Sequence, residues 1–143
     1  MASPDARNST NSTNAPSAEI LRLFVYDSLL SGERDHALLA GGTLVGTART
    51  RAAYTLIELG PYGALVLEGA TSVAGEVYAI DKRLRFALDL KKQYPALFQR
   101  ATIELDDGSS AETYVMREDQ VRGRRRIKNG SWRERFAPRA TGR

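Results

Sequence analysis

Among the side chains that could do acid–base or ionic chemistry, one is placed where an apolar strand should continue. Asp27 stands in FVYDSLL (24–30), where a run of strand formers meets a carboxylate and then resumes as apolar. Two accounts fit that position: a turn residue accepting backbone N–H groups, or a working acid. Glu76 lies in AGEVY (74–78) and reads as outward-facing or paired with an arginine such as Arg100. Asp89, Lys91 and Lys92 lie along LDLKKQ (88–93). Lys92 reads either as a solvated helix residue, like Lys91, or as a working amine. His36 is the single histidine and reads as an exposed helix residue. The chain has no cysteine, which excludes disulfides and thiolate metal sites, and its single histidine excludes a His-rich cluster, so no metal or cofactor is expected.

These residues need elements to position them. LRLFVY (21–26), TLVGTART (43–50), AYTLIEL (53–59), ALVLE (64–68), SVAGEVYAI (72–80), LFQRATIEL (97–105) and SAETYVM (110–116) read as strands. DDG (106–108) is a hairpin turn between the last two, and GPYG (60–63) is a break. SGERDHALLAG (31–41) fits a short helix capped by Ser31 and stopped by Gly41 and Gly42. KRLRFALDLKKQY (82–94) fits a second helix with Asp81 as its N-cap. Consecutive strands with short connections favour antiparallel pairing. The expectation is therefore α+β: a small mixed-strand β-barrel with two flanking helices.

The chain has 143 residues, enough for one domain with its own core. The expected division is a disordered leader over 1–19, a single domain over 20–136 and a basic tail over 137–143. The net charge of +4 is uneven, since residues 117–143 carry +7 and the rest carries −3. Nucleic-acid binding through that basic stretch is one reading, disfavoured because Trp132 and Phe136 are its only aromatics. Trp132 reads instead as a packing anchor. No apolar run approaches the roughly 20 residues that span a bilayer, and the first residues lack a signal-peptide apolar core, so a cytoplasmic protein is expected. Oligomeric state is not legible.

Five fragments in order resemble one family. FVYDSLLSGE, GTLVGTARTRAAYTLIELGPYGAL, VAGEVYAID, LDLKKQYPALFQR and IKNGSWRER are similar to successive motifs of the γ-glutamylcyclotransferase-like (AIG2-like) proteins. The resemblance covers residues 21–136. It implies a small barrel with a pocket at one end and cleavage of γ-glutamyl amides without water. The substrate's α-amine attacks its own γ-carbonyl, giving 5-oxoproline and a free amine. It further implies a glutamate base in an LDxxE motif and backbone N–H donors in a YG[ST]L loop.

Carried over residue by residue, Tyr26, Ser28 and Leu29 match that loop, but its glycine is Asp27. Leu88 and Asp89 match LD, but Lys92 stands at the base. Phe98 replaces a tyrosine, Arg100 is retained, and Ser131 replaces an aspartate between Gly130 and Trp132. The resemblance thus sets Asp27 and Lys92 face to face as a candidate ion pair and as the candidate catalytic positions, with Tyr26, Ser28, Leu29 and Phe98 as substrate-binding. Three readings stay open: a closed pocket without 5-oxoproline-forming activity; a pocket re-tooled around a lysine for an amine-containing γ-glutamyl or aminoacyl substrate, as in a biosynthetic pathway; and ordinary chemistry with Glu76 as base.

Overall fold

The computed structural model describes residues 19–136. The expected basic tail over 137–143 and residues 1–18 of the expected leader lie outside the described residues. Glu19, the remaining leader residue, pairs with Lys82 at 2.7 Å. The strands are β1 (Ile20–Val25), β2 (Thr43–Arg49), β3 (Tyr54–Glu58), β4 (Gly63–Thr71), β5 (Ala74–Asp81), β6 (Gln99–Glu104), β7 (Ser110–Val115) and β8 (Arg125–Arg126). One α-helix, α1 (Lys82–Lys91), follows β5. The strands pair in the order β2-β5-β1-β7-β4-β3-β8, with β6 also on β7. β7 runs parallel to β1 and β4 and antiparallel to β6, so the sheet is mixed.

Local sequence accounts for most of this. Tyr54–Ile57 and Gly63–Val66 are buried at successive positions, as strands covered on both faces require. Asp81 caps α1 as expected, accepting from the Leu84 N–H at 2.9 Å. Trp132 is buried as expected, and beside it Gly130 adopts φ +73 and lies so close to the Ser72 carbonyl that a Cβ would sit 2.1 Å from it.

The α+β fold is as expected, but two details differ. The sheet does not close into a barrel. A bulge between Leu44 and Gly46 bends β2, and only its far end reaches β6, at the isolated bridge Thr50–Leu105. There, the Arg51 N–H donates to the Glu104 carbonyl (3.1 Å) and the Asp106 N–H to the Arg49 carbonyl (2.8 Å).

The expected helix over 31–41 is a chain of turns ending in a short 3-10 helix, His36–Leu39. Gly32 has φ +80, which interrupts a right-handed helix. Ser31 does not cap it; its N–H and hydroxyl both donate to Glu76, at 2.9 and 2.8 Å. His36 is half-buried, with Nδ1 3.0 Å from the Leu29 carbonyl.

Candidate functional site

β1 delivers the chain into the turn Tyr26–Leu30, where the Leu30 N–H donates to the Asp27 carbonyl at 2.9 Å. Asp27 is 1% exposed. Its Oδ2 accepts the Gly63 N–H at 2.9 Å and its Oδ1 the Leu29 N–H at 3.4 Å. The carboxylate therefore pins the end of β1 to the start of β4, which is the role of a turn residue.

It also has a cation. Lys92 ends α1, and Gln93 after it takes φ +52, turning the chain out of the helix. Lys92 Nζ lies 3.9 Å from Asp27 Oδ2. At that separation the attraction is about 4 kcal/mol for an effective dielectric of about 20, before desolvation is subtracted. Three rings surround the ammonium: Phe98 with its centroid at 4.6 Å, and Tyr62 and Tyr114 at 5.9 Å.

Beside this cluster lies an open cleft of about 310 Å³, walled by Ser28, Leu29, Leu38, Tyr62, Lys92 and Phe98. Behind it, a space of about 10 Å³ is bounded by Tyr26, Asp27 and Tyr114, among others, and is too small for a ligand. Ser28, Leu29, Lys92 and Phe98 thus reach the cleft, whereas Tyr26 and Asp27 stand behind it. The Tyr26 hydroxyl donates to the Tyr114 carbonyl (2.7 Å) and accepts from the Leu65 N–H (3.1 Å). Burial, with the Asp27 charge beside it, pushes that phenol well above its ordinary value. Sequence reasoning missed Tyr62; its signal was an aromatic inside the break GPYG.

The nearby carboxylates are already engaged. Asp35, on the cleft wall, accepts from Ser28 Oγ at 2.7 Å. Asp89 accepts from the Tyr114 hydroxyl at 2.6 Å and lies 3.6 Å from Arg100 Nε. Glu112 takes two bonds from Arg85 Nη1, at 2.9 and 3.0 Å.

Glu76 is neither outward-facing nor paired with Arg100. It is buried, bonded by Ser31 and by the Tyr78 hydroxyl (3.0 Å), with Arg133 Nη2 at 3.5 Å. Burial alone would raise its pKa, but those bonds and the Arg133 charge outweigh burial and hold it below the usual value. Burial and the same carboxylate push Tyr78 up to about 12. Among the described residues, no group of three or more His, Cys, Asp or Glu residues could hold a metal.

Comparison with known proteins then fixes the relationship. The model of the family described as gamma-glutamyl cyclotransferase, AIG2-like, matches residues 23–134. The chain belongs to this family. A Vibrio cholerae protein with a provisional gamma-glutamylcyclotransferase name is 38% identical over 113 residues, 79% of this chain and 96% of that protein. The gamma-glutamylaminecyclotransferase of Bos taurus is 31% identical over 73% of this chain and 71% of its own length. Among solved structures, a uropathogenic E. coli-specific protein superposes with a TM-score of 0.73 at 27% identity, covering 82% of this chain and 96% of that one.

As a member of the γ-glutamylcyclotransferase-like family, the chain shows the α+β fold of its relatives. No helix among the described residues is long and apolar enough to cross a membrane.

Proposed function

We propose that this γ-glutamylcyclotransferase-like chain holds a small amide metabolite in the cleft beside Ser28 and Phe98 and lacks the 5-oxoproline-forming activity. One observation carries the reading: the ammonium of Lys92, 3.9 Å from Asp27, occupies the position that the resemblance gives to a glutamate base. Intramolecular aminolysis needs a group that takes a proton from the substrate's α-ammonium and returns it to the leaving amine. A protonated lysine held against a carboxylate cannot take that proton. Glu76 does not wall the cleft, and its oxygens are occupied by Ser31 and Tyr78, which argues against it as a substitute.

The purified chain incubated with several γ-glutamyl amines is expected to release no 5-oxoproline above the uncatalysed rate. The double variant Asp27→Gly, Lys92→Glu is expected to gain release. Robust turnover by the native chain overturns the reading.

The open cleft favours a second reading, in which the Lys92 amine serves as base or nucleophile on an aminoacyl or γ-glutamyl amide. Lys92→Arg keeps the charge and removes an amine that can be deprotonated. On this reading amine release from such amides by the native chain is lost in the variant, while ligand binding persists.

A further inference from the structure

Lys92 is a cation seated in surroundings that recognise cations. One buried carboxylate, Asp27, and the faces of Phe98, Tyr62 and Tyr114 enclose its ammonium. Carboxylates and aromatic rings together form the usual cage for a ligand ammonium. Here the chain fills that cage with its own side chain, so an amine-bearing ligand finds it occupied.

The ammonium is held but not saturated. Asp27 Oδ2 stands at 3.9 Å, beyond hydrogen-bond distance, and already accepts the Gly63 N–H. Among the described residues no acceptor lies within hydrogen-bond reach of Lys92 Nζ, although the side chain is only 12% exposed. Its three N–H donors are available to the cleft that Lys92 helps to wall. Lys91 adds a second positive charge at the same rim, while Asp35 opposite is engaged by Ser28 and lies 3.7 Å from Arg34. Tyr62, Leu38 and Phe98 supply apolar walls between these groups.

We propose that the cleft recognises the carboxylate of a small flexible acid. The ligand's oxygens accept from Lys92 Nζ, and its methylene chain lies between Tyr62, Leu38 and Phe98. The inference rests on the functional reading above, which makes this cleft the ligand site, and it deepens that reading by naming the charge of the group that docks. The polarity follows from Lys92: its charge admits an anion where an amine-bearing group would meet repulsion.

The test is a titration of the full chain, followed through its backbone amide NMR signals, with three probes of equal length: glutarate, cadaverine and the corresponding diol. Glutarate is expected to bind saturably and shift Ser28, Leu29 and Gln93, whereas cadaverine and the diol leave them in place. Lys92→Met is expected to weaken glutarate at least about tenfold, the size of a charge-assisted hydrogen bond. Lys92→Ala, which does empty the cage, should take up ethylammonium, with Asp27 as its counter-ion. Asp27→Asn, Lys92→Met, which buries no unpaired charge, is expected to bind neither probe and supplies the comparison if the single variant fails to fold.

Glutarate binding no better than the diol, or unchanged by either variant, overturns the inference. A native chain silent in the 5-oxoproline assay that prefers cadaverine overturns this inference alone. A native chain that releases 5-oxoproline yet still binds glutarate through Lys92 overturns only the functional reading.

Discussion

Asp27 and Lys92 are unequal partners, and their variants should differ accordingly. Lys92→Met leaves a carboxylate that is 1% exposed with backbone N–H donors but no cation, and should cost about 2 kcal/mol. Asp27→Asn keeps an oxygen for the Gly63 N–H and leaves Lys92 facing the cleft, so about 1 kcal/mol is expected. The double variant should lose clearly less than the two single losses combined, as urea denaturation can measure; strict additivity would mean that the pair is not energetically coupled. Glu76 gives a pH signature. Its folded pKa lies below the ordinary 4.5, so its contribution is complete above that value and is lost as pH falls through the lower folded one. Glu76→Gln should flatten the acid limb of stability below about pH 4.5, and an unchanged limb would remove this assignment. At this scale Asp27 and Lys92 were legible, because each replaces a motif residue at a countable position. Tyr62 and Tyr114 were not, since nothing in a one-dimensional sequence says that a break and β7 turn their rings to the same ammonium.

Elements show where close approach matters. Gly75 lies on β5 against β1, and a Cβ there would sit 2.2 Å from the Val25 carbonyl and 2.5 Å from the Phe24 ring. Gly75→Ala should therefore force β1 and β5 apart and cost about 3 kcal/mol. Gly46, at the bulge on β2, has nothing within 4 Å of its Cβ position, and Gly46→Ala should be nearly neutral. Melting temperatures of the two variants check this contrast, and equal losses would contradict it. The strands were readable because their residues are β-formers bounded by turn residues. The 31–41 segment misled because its helix signals, Ser31 and the Ala37–Leu39 run, are overridden by Gly32 at φ +80 and by the bonds from Ser31 to Glu76. β8 is only Arg125–Arg126, too short and too charged to announce itself as a strand.

For the whole molecule, the basic stretch is the informative part. Arg125 and Arg135 share Glu58 and Arg133 reaches Glu33, so part of the stretch's charge is met by carboxylates of the body, while Arg117 and Arg126 pair at the surface with Asp119 and Glu118 of the stretch itself. Single-stranded DNA is accordingly expected to show no saturable, salt-steep binding to the chain at physiological ionic strength, measurable by fluorescence anisotropy. Arg133 also reaches back to the cleft loop, donating to the Ser31 carbonyl and lying 3.5 Å from Glu33 and from Glu76. Arg133→Ala should speed amide exchange at Ser31 by about tenfold or more while leaving the β6–β7 hairpin protected. The failure of the sheet to close was invisible in the sequence, because which strands form the two ends follows from long-range pairing and not from local pattern.

That long reach sets an order of assembly. Arg133 and Ser31 are 102 residues apart along the chain, and Tyr26 and Tyr114 are separated by 88. Contacts this distant form slowly, because loop closure must precede the energy they return. The hairpins can form early, but the wall of the cleft takes shape only when distant segments meet. In a refolding experiment, capacity to bind a ligand should therefore return after most of the sheet, making the cleft a reporter of completed folding.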